Sequence, residues 1–186
     1  MISAPIKIKK HLETLRQRFL SYALTPDQLS KRLDLSGKDA TGCCLDDFVL
    51  PSSSFRNANL SHASIRRAKI NLNWESVQGM QLEGADLSGS MFQFSVDLRR
   101  SVDVGLAQSH IEEFLELLSH ASPNGREGFC LTIGFQMRHG IMRITLPNPF
   151  DLKQSLQPGT PLMQFLSNES QAINLPAGGS AAAASV

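Results

Sequence analysis

The 186-residue chain has little of what marks several common classes of protein. It contains three cysteines, one tryptophan and one tyrosine, and its formal net charge at pH 7 is +1. A charge this close to zero gives no field for nucleic-acid binding, and it is equally unlike the acidic surface of a DNA mimic. We therefore predict no nucleic-acid partner.

Long apolar runs are also missing. No stretch of about eighteen apolar residues occurs, so no membrane-spanning segment is predicted. The start MISAPIKIKK lacks the apolar core of a secretory signal peptide, which argues against general export. The cysteines, Cys43, Cys44 and Cys130, are odd in number and two are adjacent, a pattern that favours neither a disulfide framework nor a zinc site. We expect a reducing compartment.

Sequence motifs of nucleotide-binding and catalytic sites are absent as well. The sequence has no P-loop, dinucleotide fingerprint, zinc-protease helix or nucleophile elbow, and its five histidines show no ligand spacing. We therefore expect no metal, no cofactor and no enzyme activity. One alternative is a cysteine hydrolase with Cys130 as nucleophile and His139, across a predicted hairpin, as base. Otherwise Cys130 is a strand cysteine without a role.

Residues 1–34 are predicted to form a helical cap. Apolar residues recur there at helical spacing, with basic residues on the other faces: Ile8, Leu12, Leu15 and Phe19. The segment Thr25-Pro26-Asp27-Gln28 predicts a capping box and a second helix that runs to about Leu33. We expect these helices to cover one end of the segment that follows. The alternative is peripheral contact between the basic face and anionic lipid.

A five-residue repeat dominates residues 35–99. Its larger apolar members follow one another without a gap: Leu45, Leu50, Phe55, Leu60, Ile65 and Ile70. Two positions before several of them stands a small residue, as at Cys43, Ala58, Ala63 and Ala68. A period of five fits neither a helix nor an alternating strand. It indicates an internal repeat with two inward and three outward side chains per unit.

The segments FRNANL, SHASI, RRAKI and EGADLSGSMF resemble the pentapeptide-repeat family, whose consensus is A(D/N)LXX. The resemblance implies a right-handed quadrilateral β-helix, in which four pentapeptides form each turn. Together with the predicted helices, it predicts a mainly β fold with helical caps. Residues 35–99 would then form a short tube of about three coils. Phe48 stands where the family places a small residue, and Leu50-Pro51 follows, so we expect an irregular first coil.

The repeat breaks once. After Ile70 it resumes at Val77, two residues out of step, so residues 71–75 must bulge outward or turn a corner. Trp74, the only tryptophan, lies in this break. Exposed, it would be a strong binding anchor; folded back, it would plug the bulge.

Arg66, Arg67 and Lys69 are outward positions of the repeat and form a basic ridge, with Arg99 and Arg100 later in the chain. The ridge could face an acidic partner, or it could be a solvated face that prevents stacking of tubes. We predict that Trp74, Arg66, Arg67 and Lys69 contact a protein partner.

Residues 100–168 are predicted to form a helix and a β-hairpin, and residues 169–186 a disordered tail. The helix is expected to begin with a capping box at Ser109-His110-Ile111-Glu112. The other predicted elements are a turn at residues 122–125, strands at 129–137 and 142–146, and a short helix at 160–165.

The order of the predicted elements forms a second pattern. Degenerate repeats are followed by a helix, and then by an Asn-Gly turn that enters a strand (NGREGFCLTI). This order is similar to the amino-terminal, non-catalytic part of bacterial HECT-like ubiquitin-ligase effectors. In those proteins the β-helix region contributes to substrate engagement, and the catalytic cysteine lies in a distant carboxy-terminal lobe. No segment of this chain matches that lobe.

The resemblances imply a protein-interaction scaffold, namely a bacterial type III-secreted effector, or a truncated relative of one, that binds a host protein. Its expected location is the host cell, reached without a general-export signal peptide; the alternative is the bacterial cytoplasm. A different function open to such repeats is protection or inhibition of a DNA topoisomerase. About three coils and a near-neutral charge argue against it.

Overall fold

The computed structural model describes residues 4–99, 104–137 and 140–174. Within these ranges the helices are α1 (Ala4–Leu20), α2 (Pro26–Arg32), α3 (Trp74–Val77), α4 (Val104–Ser119), α5 (Leu152–Ser155) and α6 (Pro161–Asn174). The strands are β1 (Val49–Leu50), β2 (Lys69–Asn73), β3 (Met91–Asp97), β4 (Cys130–Met137) and β5 (Gly140–Leu146). The predicted hairpin is confirmed as β4 and β5, which pair antiparallel.

A single sheet joins these strands in the order β1-β2-β3-β4-β5, and the first four are parallel. Val49 lies opposite Lys69, and Lys69 lies opposite Met91. Other faces repeat the same pairing, as in the parallel bridges Asp39–Asn59 and Asn59–Gln81. The chain therefore winds back onto itself every 20 or 22 residues, which is the arrangement of a β-helix.

Large apolar side chains fill the tube, one from each repeat. The fully or almost fully buried set includes Leu45, Leu50, Phe55, Leu60, Ile65, Ile70, Leu82, Leu87 and Phe92. The small members Ala58, Ala63 and Ala68 are buried beside them. The predicted alternation of two inward and three outward side chains is therefore confirmed in this segment.

Phe48 does not disturb the first coil (residues 34–53), so the prediction of an irregular coil is wrong. Bridges at Asp34 and Asp39 and strand pairing at Val49 keep the five-residue spacing. The Phe48 ring is fully buried, and it packs edge to face against Phe19 of α1 at a centroid distance of 6.2 Å. A contact with another element thus accommodates the large side chain.

The corners of the tube use left-handed backbone at the same five-residue spacing. Several of these positions are glycines, and others are Asp47, Asn57, His62 and Arg67. This backbone conformation is disfavoured for residues other than glycine, asparagine and aspartate. At Gly84, with φ of 63°, a β-carbon would also lie 2.5 Å from the His62 ring of the neighbouring coil. Stacked corners therefore explain why glycine stands there.

The break in the repeat is a corner formed by one helical turn, α3. Asn73 caps it: its side-chain oxygen accepts a hydrogen bond from the Ser76 amide at 2.8 Å, and Ser76 Oγ accepts one from the Asn73 amide at 3.0 Å. The turn takes up the two additional residues, since pairing across it shifts by 22 residues instead of 20. Leu72 and Val77 on either side stay buried.

The chain beyond residue 99 continues the wall of the tube. Gly84 donates its amide hydrogen to the His120 carbonyl at 2.9 Å, and Leu87 donates to the Gly125 carbonyl at 2.8 Å. β4 then pairs with β3 in parallel. Helix α4 is inserted between these strands, so the sequence separation is too long to show the pairing as a repeat.

Two predicted boundaries are wrong. Helix α4 already includes Val104, and Ser109 is not its cap but a residue inside it, where Ser109 Oγ donates to Glu113 at 3.2 Å. Helix α6 continues to Asn174, so residues 169–174 are helical and not part of a disordered tail. On the edge strand β5, Met142 is exposed while Leu146 is buried.

Candidate functional site

The ridge predicted at Arg66, Arg67 and Lys69 lies one coil above two aspartates. Asp46 has a side chain only 3% exposed. It accepts hydrogen bonds from Ser64 Oγ at 2.6 Å and from Arg66 Nε and Nη2 at 3.0 and 2.9 Å. Burial alone would raise the pKa of Asp46, but the hydrogen bonds from Ser64 and Arg66 outweigh it, and the pKa is lowered.

Asp47 makes the second part of this network. It accepts hydrogen bonds from Arg67 Nε at 2.7 Å and Nη2 at 3.0 Å, and from Arg16 Nη2 at 3.1 Å. The Arg67 hydrogen bond, followed by that from Arg16, lowers the pKa of Asp47 against the effect of burial. Two of the three ridge residues are therefore held in ion pairs, while Lys69 is exposed. The network also joins α1 to the tube.

Trp74 is half-buried at the corner formed by α3. Its indole stacks on the imidazole of His110 in α4, with ring centroids 4.6 Å apart and planes 12° apart. The side chain is thus neither a free anchor nor a fully buried plug. His110 occupies one face of the indole, and Trp74 is among the residues that line two grooves.

The first groove, which we call the acidic groove, lies between residues 77–83 of the tube and α4 and has a volume of about 490 Å³. Its apolar lining consists of Trp74, Val77, Met80, Leu82, Phe114 and Leu117. Its polar and charged lining consists of Gln81, Glu83, Glu113, Glu116 and His120. No lysine or arginine is among these residues.

The second groove, of about 500 Å³, also has Trp74 in its lining, together with Glu75, Leu106 and His110, among others. It also includes Asp97 and Arg99, whose carboxylate and guanidinium form an ion pair at 2.6 Å. Its charges are thus largely balanced within the chain. The acidic groove differs, because its three carboxylates form no ion pair in the described part of the chain.

The sequence drew attention to Trp74 but not to its surroundings. Glu113 and Glu116 lie on α4, which begins five residues before the predicted start, and His110 lies inside this helix and not in a cap. The available signal was the spacing of Glu113 and Glu116, which puts both side chains on one face of any helix there. Nothing in the sequence shows that this face turns toward Trp74.

The two cysteines of the repeat differ in burial, as their inward and outward positions in the repeat predict. Cys43 is buried inside the tube, where desolvation raises the pKa of its thiol, and Cys44 is exposed. Cys130 is half-buried on β4, and its proposed base His139 lies outside the described residues.

In the described part of the chain, no group of three or more histidine, cysteine, aspartate or glutamate side chains is placed to hold a metal ion. None of the helices in residues 4–99, 104–137 and 140–174 combines the length and apolarity needed to cross a bilayer.

Comparison with known proteins identifies the repeat. A family model described as pentapeptide repeats matches residues 34–71 with eight copies. Neither the curated proteins nor the solved structures gave a match. The matched segment is the one in which parallel bridges recur every five residues, at Asp34, Asp39 and Cys44. The chain is therefore a protein with pentapeptide repeats, which occupy residues 34–71.

Proposed function

We propose that this protein is an interaction scaffold whose docking surface is the face formed by Trp74 and α4. The observation that carries the proposal is the stack of Trp74 on His110, together with the presence of Trp74 in the lining of two grooves. A rigid, half-exposed tryptophan beside a groove offers a large contact area at little cost in conformational entropy, which is typical of interface anchors. Repeat proteins commonly act through such surfaces.

The scaffold we propose is a right-handed tube of about three coils. The pairing steps from Val49 to Lys69 and from Lys69 to Met91 correspond to successive coils. Connections between parallel strands of one sheet are right-handed in nearly all proteins, which supports the assigned hand. In this proposal the protein acts by binding and without catalysis.

The basic ridge has a smaller part in the proposal. Arg66 and Arg67 are engaged with Asp46 and Asp47, so their charges are already largely compensated. Lys69 remains exposed and can contact an acidic group of the partner. The ridge would therefore supplement the Trp74 surface.

Replacing Trp74 with alanine is expected to weaken capture of the partner from a host-cell lysate about thirtyfold or more, because truncating an interface anchor typically costs about 2 kcal/mol or more. The measurement is affinity capture with quantitative mass spectrometry, after circular dichroism has confirmed that the variant is folded. Tyr22→Ala is the control, since this only tyrosine is 96% exposed. Equal capture by Trp74→Ala and wild type would contradict the proposed surface.

We further propose that the scaffold is a bacterial effector delivered by type III secretion, with a host protein as partner. The support is the similarity of its repeat, helix and strand order to the amino-terminal part of HECT-like ligase effectors. A fusion to a calmodulin-dependent adenylate cyclase should raise cyclic AMP in host cells only when the bacterium has an intact type III apparatus. An equal signal from a secretion-deficient strain would contradict delivery by this route.

A further inference from the structure

We infer that the acidic groove binds a short protein segment in which an apolar side chain is flanked by lysine or arginine side chains. The inference rests on the proposed docking surface and adds the chemistry of its occupant. Three properties of the groove carry it: its charge, its apolar floor and its length.

The charge of the groove comes from Glu83 on the tube and from Glu113 and Glu116 on α4, all exposed. The chain as a whole is nearly balanced, with 18 basic and 17 acidic residues, so a lining without a lysine or arginine is a local departure. Glu113 accepts one hydrogen bond, from Ser109 Oγ. The carboxylates are therefore available to cationic side chains of another molecule.

The acidic lining also opposes folding slightly. Glu113 and Glu116 are three residues apart on one face of α4, where like charges repel each other. No basic residue of the groove relieves this repulsion. A partner with positive charges would relieve this repulsion, so its binding would be more favourable.

The apolar floor supplies the second property. The half-buried Leu117, the fully buried Phe114 and the half-buried Trp74 are all part of the groove lining. An aliphatic side chain placed there would be removed from water on several sides. Charge alone would equally admit any cation, whereas this floor favours a segment with an apolar residue between its charges.

The length of the groove limits the occupant. From Glu113 to Ser119, the last residue of α4, the helix axis advances by roughly 9 Å at 1.5 Å per residue. That distance corresponds to about three residues of an extended peptide at roughly 3.3 Å each. A metal ion is a poorer match, because the described side chains include no cluster of acids close enough to ligate one. The groove thus fits a short basic and apolar segment.

The test uses a synthetic peptide, Gly-Gly-Arg-Leu-Lys-Gly-Gly, blocked at both ends, whose three central residues match the length of the groove. Because Trp74 is the only tryptophan and lines the groove, its fluorescence reports occupancy directly. We expect a saturable fluorescence change, and we expect the double variant Glu113→Gln/Glu116→Gln to raise the Kd roughly fivefold or more, as the loss of two exposed charge pairs implies. A peptide with glutamate in place of arginine and lysine should not bind.

The matched control is Glu13→Gln/Glu127→Gln, which changes the net charge equally at exposed residues outside the groove. Its Kd should stay within about twofold of wild type, since distant exposed charges are screened at 0.15 M salt. Equal weakening by both double variants, or no saturable change with wild type, would overturn the inference about the occupant. If partner capture still depended on Trp74 in that case, the docking surface itself would stand; if it did not, both proposals would fail.

Discussion

Phe94→Ala should lower the free energy of unfolding by about 3–5 kcal/mol, the range for large aromatic side chains removed from a core. Phe94 on β3 and Phe114 on α4 are both fully buried, and their rings stack with centroids 4.4 Å apart. The substitution would leave a cavity between the tube and α4. Chemical denaturation monitored by circular dichroism measures this loss. A loss of this size is a large part of the free energy of unfolding of an ordinary domain.

Met91→Ala is the matched control, because Met91 lies on the same strand and is 52% exposed. Its effect should stay within about 0.5 kcal/mol. A loss below about 1 kcal/mol for Phe94→Ala, or two separate transitions of which only one changes, would contradict a core that is continuous from the repeats to α4.

Asp46→Asn should cost about 2–3 kcal/mol at pH 7. The change removes a buried carboxylate that accepts hydrogen bonds from Ser64 and from both the backbone and the guanidinium of Arg66. Breaking a fully buried ion pair costs about 3–5 kcal/mol. The smaller figure applies because the Arg66 side chain is 48% exposed and can be hydrated when it loses its partner. Denaturant unfolding of both proteins at pH 7 measures the difference.

The same carboxylate predicts a dependence on pH. The pKa of Asp46 is lowered in the folded protein, so its contribution to stability is present above the unfolded value of about 3.9 and is lost as the pH falls through the lower folded value. Wild type should therefore lose stability more steeply than Asp46→Asn below about pH 4. Glu13→Gln, at an exposed position of α1, should follow wild type. Parallel pH curves for wild type and Asp46→Asn would contradict this role of Asp46.

Local pattern predicted much of the fold. The buried series from Leu45 to Ile70 follows from the period of five, and the capping box at Thr25 and Gln28 forms with both of its hydrogen bonds. These features depend on residues a few positions apart, so a single sequence contains the information. The ion pairs of Asp46 with Arg66 and of Asp47 with Arg67 are also predictable from the sequence, because the two residues of each pair are separated by the 20 residues of one coil.

What could not be predicted depends on contacts between distant segments. Phe48 fits its slot because Phe19 of α1 packs against it, and Trp74 is fixed by His110 on a helix inserted after β3. The misplaced start of α4 has a local cause: Ser109 has a glutamate three positions later, but this pattern also occurs inside helices. The acidic groove was missed because its two walls come from segments about thirty residues apart in sequence.

The central claim is that a protein partner docks on the face formed by Trp74 and α4. Site-specific photo-cross-linking tests it directly, with benzoylphenylalanine placed either at Gln81, an exposed residue of the acidic groove, or at Gln17, an exposed residue of α1. In host lysate we predict a discrete adduct from position 81 that disappears when Trp74→Ala is added, and none from position 17. No adduct from position 81, or the same adduct from both positions, would contradict the claim.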